Sequence, residues 1–363
     1  REDVKKSLNT LHEQFFLSHL KKINLYIIGI GGVGGELMRQ INDQNEYLKE
    51  KHHLELRVIG VANSKKMLFN EAGVNLDRYK EDLMSEGQEM SLDNFLAQMH
   101  KDNFRNSVFI DNTSNETVAK TYQSILKDNI SVVTPNKIAA SQKFADYRAL
   151  KDQARDRNAK FLYETNVGAG LPIINTIIDL MKSGDEITKI EAVLSGSLNF
   201  IFNKLIDESL SFGEIVEMAM KEGYTEPDPR IDLSGVDVQR KILILAREAG
   251  MEVEMSDIIG SNFLPPVCMA CETVEEFVAS LYGQQDYFEK MKQDTLAVNG
   301  KLRYIAKFEN GKLQTFRYTQ NQRRLETRMK KYSKIRDKIS KDTMIEEQTI
   351  KEIETELKDY NSK

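Results

Sequence analysis

Chemistry-bearing side chains concentrate between Gly223 and Lys241, where Glu226, Asp228, Asp232 and Asp237 lead into Lys241. Pro227 and Pro229 fix the backbone around Glu226 and Asp228, so these carboxylates are held rather than swinging freely. Asp237 and Lys241 stand four apart on an expected helix, on one face and within pairing reach. A lysine ammonium near carboxylates can hold a substrate, or protonate an oxyanion as hydride arrives. A zwitterionic amino acid needs such a mixed lining, with carboxylates for its ammonium and lysines for its carboxylate. The same spacing also fits a proline-rich loop capping a surface helix with an i,i+4 ion pair. The residues alone leave both readings open.

Far upstream, Gly29-Ile30-Gly31-Gly32-Val33-Gly34 fits the pattern G-x-G-x-x-G. Alone the pattern is weak, but here it follows an expected strand and opens an expected helix. Gly29 permits the tight turn, Gly31 removes a side chain that would keep a pyrophosphate from the backbone, and Gly34 lets helix and strand pack closely. The helix N-terminus, with Gly32 and Val33, faces the phosphates with free N–H groups and a positive dipole end. A glycine turn with no ligand is the plainer alternative. The end of the second expected strand bears on the choice of dinucleotide, because NAD selectivity calls for an acidic residue there. The chain has Ala62-Asn63-Ser64-Lys65-Lys66 instead, with no carboxylate to repel a 2′-phosphate and a hydroxyl and two ammonium groups to hold one. NADP is therefore favoured over NAD, the alternative being a solvated lysine loop.

These residues need elements to position them. Strands are expected over 23–28, 54–62, 107–111, 130–134 and 160–164, and helices over 36–47, 117–128 and 141–158. That alternation predicts a Rossmann-like, doubly wound parallel sheet. Beyond residue 165 the rhythm changes to an α+β pattern. Helices are expected over 171–182, 199–208, 212–222 and 236–250, and strands over 187–195, 302–308 and 312–317. Asn310-Gly311 between the last two strands is a hairpin signal. Residues 1–20 read as an amphipathic helix with Leu8, Leu11, Phe15 and Phe16 on one face. From 320 the chain turns charged, with Leu325, Met329, Tyr332, Ile335 and Ile339 repeating at helical spacing, as do Ile350, Ile353, Leu357 and Tyr360. That stripe fits either a coiled-coil seam or a solvated helix. The expected divisions are an N-terminal helix or linker (1–22), a dinucleotide-binding domain (23–164), a catalytic and dimerisation domain (165–319) and a charged helical tail (320–363).

Composition narrows the classes. With 363 residues, 40% hydrophobic and 29% charged, the chain is globular in type and long enough for more than one core. A net charge of −5 argues against a nucleic-acid partner. No apolar run approaches the roughly 20 residues that span a bilayer. A start at Arg1, without Met or a charged-then-apolar leader, is expected of a piece of a longer protein with no secretion signal. Cys268 and Cys271 are the only cysteines, so no disulfide framework is expected, which fits a reducing cytoplasm. Their C-x-x-C spacing lacks two further zinc ligands, since every histidine lies at or before His100. The same absence argues against a lactate-type dehydrogenase with an imidazole acid in its second domain.

The run from Gly223 to Lys241 resembles the signature of homoserine dehydrogenases, G-Y-x-E-P-D-P-x-x-D-L-x-G-x-D-x-x-x-K. Asp111-Asn112-Thr113-Ser114, Thr134-Pro135-Asn136-Lys137, Glu164 with Val167-Gly168-Ala169-Gly170-Leu171-Pro172, and Ser195-Gly196-Ser197 with Ile201-Phe202-Asn203 look like further motifs of that family in the expected order. The lead-in, with Lys65-Lys66-Met67, is most similar to the dehydrogenase half of bifunctional aspartokinase–homoserine dehydrogenases. The resemblance implies NAD(P)-dependent interconversion of L-homoserine and L-aspartate 4-semialdehyde, on the route to threonine and methionine. It also implies a homodimer, and an aspartokinase fused in the full-length protein. By the same resemblance Lys241 exchanges the proton with the substrate oxygen, and Asp237 orients it. Glu226 and Asp232 hold the substrate ammonium, and Tyr224, Gly196 and Ser197 complete the pocket. Lys137 stands beside nicotinamide and substrate, Thr113, Ser114 and Pro135 line the cofactor, and Glu164, Val167, Ala169 and Leu171 match a site for sodium or another alkali ion. Two departures stand out. Ile231 replaces a second aspartate of many relatives. The family's closing glycine-rich turn and final helix have no counterpart after the hairpin, so an open and weakly binding cofactor pocket is expected. The alternative outcome is a catalytically impaired, dimerising module.

Overall fold

The computed structural model describes residues 20–226 and 228–321. The expected N-terminal helix, Pro227 and the charged tail beyond 321 lie outside the described residues. The strands in chain order are β1 (Lys21–Ile28), β2 (Leu54–Ala62), β3 (Lys66–Phe69), β4 (Gln88–Glu89), β5 (Ser107–Asp111), β6 (Ser131–Val133), β7 (Phe161–Leu162), β8 (Lys189–Ala192), β9 (Ile258–Gly260), β10 (Gly300–Glu309) and β11 (Lys312–Asn321). One sheet has the order β4-β3-β2-β1-β5-β6-β7, another the order β8-β10-β11-β9. In the first, β2-β1-β5-β6-β7 are parallel. The doubly wound sheet expected from the sequence is present, but its edge is mixed, because β3 and β4 pair antiparallel. Both strands are short, four and two residues, which gives no periodicity to read.

β1 shows why the sheet forms. Its side chains alternate between two cores: Tyr26 and Ile28 pack with Ile59 and Phe109, while Leu25 and Ile27 pack with Met38, Ile41 and Val61. A parallel strand buried on both faces reads as an unbroken apolar run, as this one does. Its buried polar groups are paired: the Tyr26 hydroxyl donates to Asp102 at 2.8 Å and Asn24 Nδ2 to the Arg105 carbonyl at 2.7 Å. The chain leaves β1 through the helix Gly32–His52 to β2, and β5 adds on the opposite side of β1. The sheet therefore has its topological switch point between β1 and β5, where open α/β sheets hold ligands.

Several elements differ in extent from the sequence reading. The first helix runs Gly32–His52, well beyond 36–47, and stops where His53 takes a left-handed conformation (φ 53°). The helix expected over 117–128 is two pieces, Glu116–Ala119 and Tyr122–Lys127, parted where the Thr121 hydroxyl donates to the Val118 carbonyl at 2.7 Å. The strand expected over 160–164 keeps only Phe161–Leu162 before a 3-10 turn at Glu164–Asn166. β8 is likewise shorter than 187–195. The hairpin is present: Asn310 (φ 51°) and Gly311 (φ 74°) both adopt the left-handed region that a type I′ turn demands.

The described chain divides into two compact units. One comprises the described residues up to Leu194 with 238–259 and 307–314; the other comprises 195–237, 260–306 and the described residues from Thr315. The second unit is mainly helical, with Gly196–Asp207, Phe212–Lys221, Pro229–Leu233, Pro266–Met269, Val274–Gly283 and Gln285–Ala297. Phe212 stacks on Phe288 in its core, ring centroids 3.9 Å apart. The last three helices were absent from the sequence reading, although Thr273 and Glu276 form a capping box that announces one of them. Among the described residues no helix is long and apolar enough to cross a membrane.

Candidate active site

The glycine turn is shaped by backbone. Gly29 (φ +88°) donates its amide to the Ala62 carbonyl at 2.9 Å, and Asn112 donates to the Ile28 carbonyl at 2.8 Å. A Cβ on Gly29 would meet the Asn112 carbonyl carbon at 2.9 Å, and one on Gly34 would lie 1.8 Å from the Gly29 oxygen. Gly31 and Gly32 differ: an added Cβ finds nothing within 4 Å at either. The turn is thus closed toward the protein and bare on its outer side, where the helix Gly32–His52 begins with no acidic residue in its first turn. The Asn112 side-chain nitrogen stands beside it, 3.1 Å from where a Gly34 Cβ would lie, buried and without a hydrogen-bond partner. An open backbone N-terminus and an orphaned donor fit a phosphate-bearing dinucleotide.

The loops after β5 and β6 are locked together beneath this turn. Asp111 is fully buried and accepts from the Tyr122 hydroxyl, from Asn136 Nδ2 at 3.1 Å and from the Thr113 amide at 2.7 Å. Burial, reinforced by Asp111, pushes the Tyr122 phenol far above its ordinary range, so it remains a donor. Thr134 Oγ1 donates to the Asp111 carbonyl at 2.8 Å and accepts the Asn136 amide. These bonds hold Thr113, Ser114 and Pro135 at the strand ends. Lys137 is half-buried and directly precedes the one-turn helix Ile138–Ser141. At the end of β2, Asn63 Oδ1 accepts the amides of Lys65 and Lys66, which builds the turn into β3. Ser64 and Lys65 are exposed there, while Lys66 Nζ donates to the Met84 carbonyl.

A cavity of about 820 Å³ opens at the switch point, lined by Gly32, Val33, Asn112, Pro135, Lys151 and Glu164 among others. Four of the residues quoted for cofactor or ion, Gly32, Val33, Pro135 and Ala169, share it with Glu164. Glu164 caps the helix Ile173–Lys182, each oxygen accepting one amide, from Ile174 and Asn175, at 2.8 Å. Val167 is buried, Ala169 is left-handed (φ 52°), and the Leu171 amide donates to the Gly168 carbonyl at 3.0 Å. This is a tight turn of carbonyls beside a carboxylate, a hard-oxygen donor set. Among the described residues no cluster of three histidine, cysteine or acidic side chains is placed to hold a metal. Cys268 is buried and Cys271 partly so, both as free thiols.

Lys241 stands on the helix Val236–Glu248, one turn after Asp237, and its ammonium donates to the Leu194 carbonyl at 2.7 Å. Leu194 directly precedes Ser195-Gly196-Ser197 in the chain. In the second unit, Ser195 caps the helix Gly196–Asp207 by accepting the Leu198 amide, which starts that helix three residues before 199. Ser197 Oγ donates to Asp232 Oδ1 at 2.9 Å, and the Glu226 amide donates to Asp232 Oδ2 at 2.9 Å. Asp232 is thus pinned at both oxygens, with lone pairs left for a further donor. Tyr224 stacks on Phe200 at 4.0 Å, and the neighbouring Thr225 hydroxyl is buried without a partner. Asp228, by contrast, is occupied: it caps Pro229–Leu233 and forks with Arg230, which holds its carboxyl below the usual range.

Sequence reasoning missed residues that the folded chain places at the site. Asn112 was visible only as part of a motif. Lys151 and Tyr163 line the cavity and bond the buried Glu248, whose neighbour Arg247 is buried as well; the one signal of this pair is two charges ending the apolar run Ile242–Ala246.

Comparison with known proteins follows the same lines. A family model for homoserine dehydrogenase matches residues 172–336, and one for the homoserine dehydrogenase NAD binding domain matches residues 29–164. The bifunctional aspartokinase/homoserine dehydrogenase of Haemophilus influenzae is 44% identical over 307 residues, 84% of this chain but 37% of that protein. The chain therefore spans about a third of such bifunctional relatives. The homoserine dehydrogenase of Schizosaccharomyces pombe is 34% identical over 291 residues, 78% of this chain and 77% of its own length. A solved hyperthermophilic archaeal homoserine dehydrogenase in complex with NADPH shares the fold, with a TM-score of 0.61 at 22% identity over 82% of each chain. Two family models in succession and a relative matched over most of its length place this chain in the homoserine dehydrogenase family.

Proposed function

We propose that this chain interconverts L-homoserine and L-aspartate 4-semialdehyde with a nicotinamide dinucleotide, NADP in preference to NAD. The observation that carries the reading is the asymmetry of the glycine turn, closed by backbone at Gly29 and Gly34 and bare at Gly31 and Gly32. A pyrophosphate needs that bare backbone, and the helix dipole favours its charge. A reduced nicotinamide held there would supply the hydride for the aldehyde carbon. Lys241 supplies the proton to the aldehyde oxygen and takes it back in the reverse direction, with the Leu194 carbonyl aiming its ammonium. Asp237 orients Lys241, and Lys137 serves the nicotinamide side. Glu226 and the pinned Asp232 take the substrate ammonium, while Tyr224, Gly196 and Ser197 complete the pocket. Thr113, Ser114 and Pro135 line the cofactor. Exposed Ser64 and Lys65, with no carboxylate near them in the chain, favour a 2′-phosphate.

The carbonyls of Val167, Ala169 and Leu171 with Glu164 are proposed to hold sodium or another alkali ion. Residues 23–164 are proposed as the dinucleotide-binding domain and 165–319 as the catalytic and dimerisation domain of a cytoplasmic homodimer. The full-length protein carries an aspartokinase ahead of it in this reading. Purified chain is expected to oxidise NADPH only when aspartate semialdehyde is present. Lys241→Ala should reduce that rate by about 10²–10⁴, the usual weight of a positioned proton donor. Absence of both turnover and NADPH binding, read by fluorescence, would replace this reading with a non-catalytic dimerising module.

A further inference from the structure

Arg247 and Glu248 end the helix that carries Lys241, and both are buried although charged. Charged groups are seldom buried unless fully paired, and these two meet at Tyr147 and from there reach separate pieces of the fold. The Arg247 guanidinium donates to the Val253 carbonyl at 3.1 and 3.0 Å, to the Ala140 carbonyl at 2.9 Å and to Glu254 at 3.2 Å. It also lies over the Phe144 and Tyr147 rings, 5.6 and 5.2 Å from their centroids. Ala140 belongs to the one-turn helix Ile138–Ser141, which Lys137 precedes. Glu248 accepts from the Tyr147 hydroxyl at 2.6 Å and from the Tyr163 hydroxyl, and both its oxygens lie 3.1 Å from Lys151 Nζ. Tyr163 directly precedes Glu164, the cap of Ile173–Lys182. Glu248 is seven residues from Lys241, two helical turns, so the two side chains leave the helix on nearly the same face.

We propose that Arg247 and Glu248 are positioning residues, which fix the place of Lys241 against Lys137 and the Glu164 turn through the far end of their shared helix. The proposal rests on the reading of Lys241 as proton donor. Stability alone does not call for such a cluster, since a buried ionic group is often matched or exceeded by apolar side chains of the same volume. Geometry does call for it. An unanchored helix end can slide or turn, and a misplacement near 1 Å at a reacting group costs about a hundredfold in rate.

The test compares the parent chain with Arg247→Met, Glu248→Gln and the milder Tyr147→Phe. Each is assayed for thermal unfolding, NADPH affinity, kcat and KM for aspartate semialdehyde, and the isotope effect with NADPH deuterated at the transferred position. Positioning predicts kcat lower by about tenfold or more, with KM and NADPH affinity little changed and a larger isotope effect as hydride transfer becomes limiting. Tyr147→Phe, which removes one hydroxyl and keeps the packing, should move in the same direction by less. A kcat that merely tracks the folded fraction, with the isotope effect unchanged, overturns the proposal. An inactive parent chain sinks the proton-donor reading instead. The positioning claim is then decided by NMR of ¹³C-methylated lysines, with the Lys241 resonance assigned by its loss in Lys241→Arg. That resonance should shift in Arg247→Met, and an unmoved resonance refutes the claim.

Discussion

Gly32 and Gly34 stand two residues apart, yet the structure assigns alanine at each an opposite kind of damage. Gly32 is the first residue of its helix, has nothing within 4 Å of an added Cβ, and borders the 820 Å³ cavity. Alanine there meets no protein atom and suits helical backbone better than glycine, by up to about 1 kcal/mol. Its methyl would instead keep a phosphate oxygen off the helix amides. Losing one charge-assisted hydrogen bond costs about 1.5–3 kcal/mol, which is roughly ten- to a hundredfold in affinity. Gly34→Ala forces a Cβ to 1.8 Å from the Gly29 oxygen, a backbone atom that cannot rotate away. Overpacking of this kind costs about 1–3 kcal/mol before any ligand is present, or several degrees of Tm in a unit of this size. NADPH fluorescence titration and thermal melts of both variants without ligand separate the two effects. Gly32→Ala should melt at or above the parent temperature and bind NADPH at least about tenfold more weakly. Gly34→Ala should melt lower whether or not NADPH is added. Parental affinity in Gly32→Ala, or a loss of affinity matched by an equal loss of Tm, would show that the phosphates do not lie on this turn.

Two further outcomes follow from single carboxylates. Glu164→Gln removes the charge that caps Ile173–Lys182 and one of its two acceptors, so the melting temperature should fall by the equivalent of about 1–2 kcal/mol; an unchanged melt refutes the capping role. Asp102 is buried against Tyr26 and Gln98, and burial raises its carboxyl above the ordinary range. A carboxyl raised on folding favours the native state most when protonated, and that contribution is lost as pH rises through the folded value. Acidification from neutral pH through the carboxylate range should therefore stabilise the parent chain relative to Asp102→Asn. Melts across that range that move the difference the other way would refute the assignment.

The parallel core was legible because burial on both faces writes itself as local apolar runs, and β1, β2 and β5 lie close to where those runs predict. The glycine turn and the hairpin were legible for a related reason: each demands particular residues at fixed spacing, so the chemistry of the backbone shows in the letters. The antiparallel edge left no such mark, since β3 and β4 are too short for alternation, and β3 owes its pairing with β2 to a turn built on Asn63. The breaks at Thr121 and after Leu162 were hidden as well, because a hydroxyl and a 3-10 turn interrupt patterns that look continuous by hydrophobicity.

The residues that position the candidate chemistry were the least visible, and the reason is physical. A buried charge is recognisable only through its partners; Arg247 has Val253 and Glu254 close by in the chain, but its bond to Ala140 and those of Glu248 to Tyr147, Lys151 and Tyr163 reach about a hundred residues back. No periodicity links such positions, and a charged residue closing a helix reads as an ordinary solvated end. The catalytic candidates announce themselves by type, whereas the groups that hold them are tyrosines and backbone carbonyls of the commonest kinds. Leu194 makes the point most sharply: its side chain tells nothing, yet its carbonyl takes the Lys241 ammonium at 2.7 Å. Since a carbonyl has no identity in the sequence, this contact of Lys241 follows from the path of the backbone and leaves no mark in the residue types.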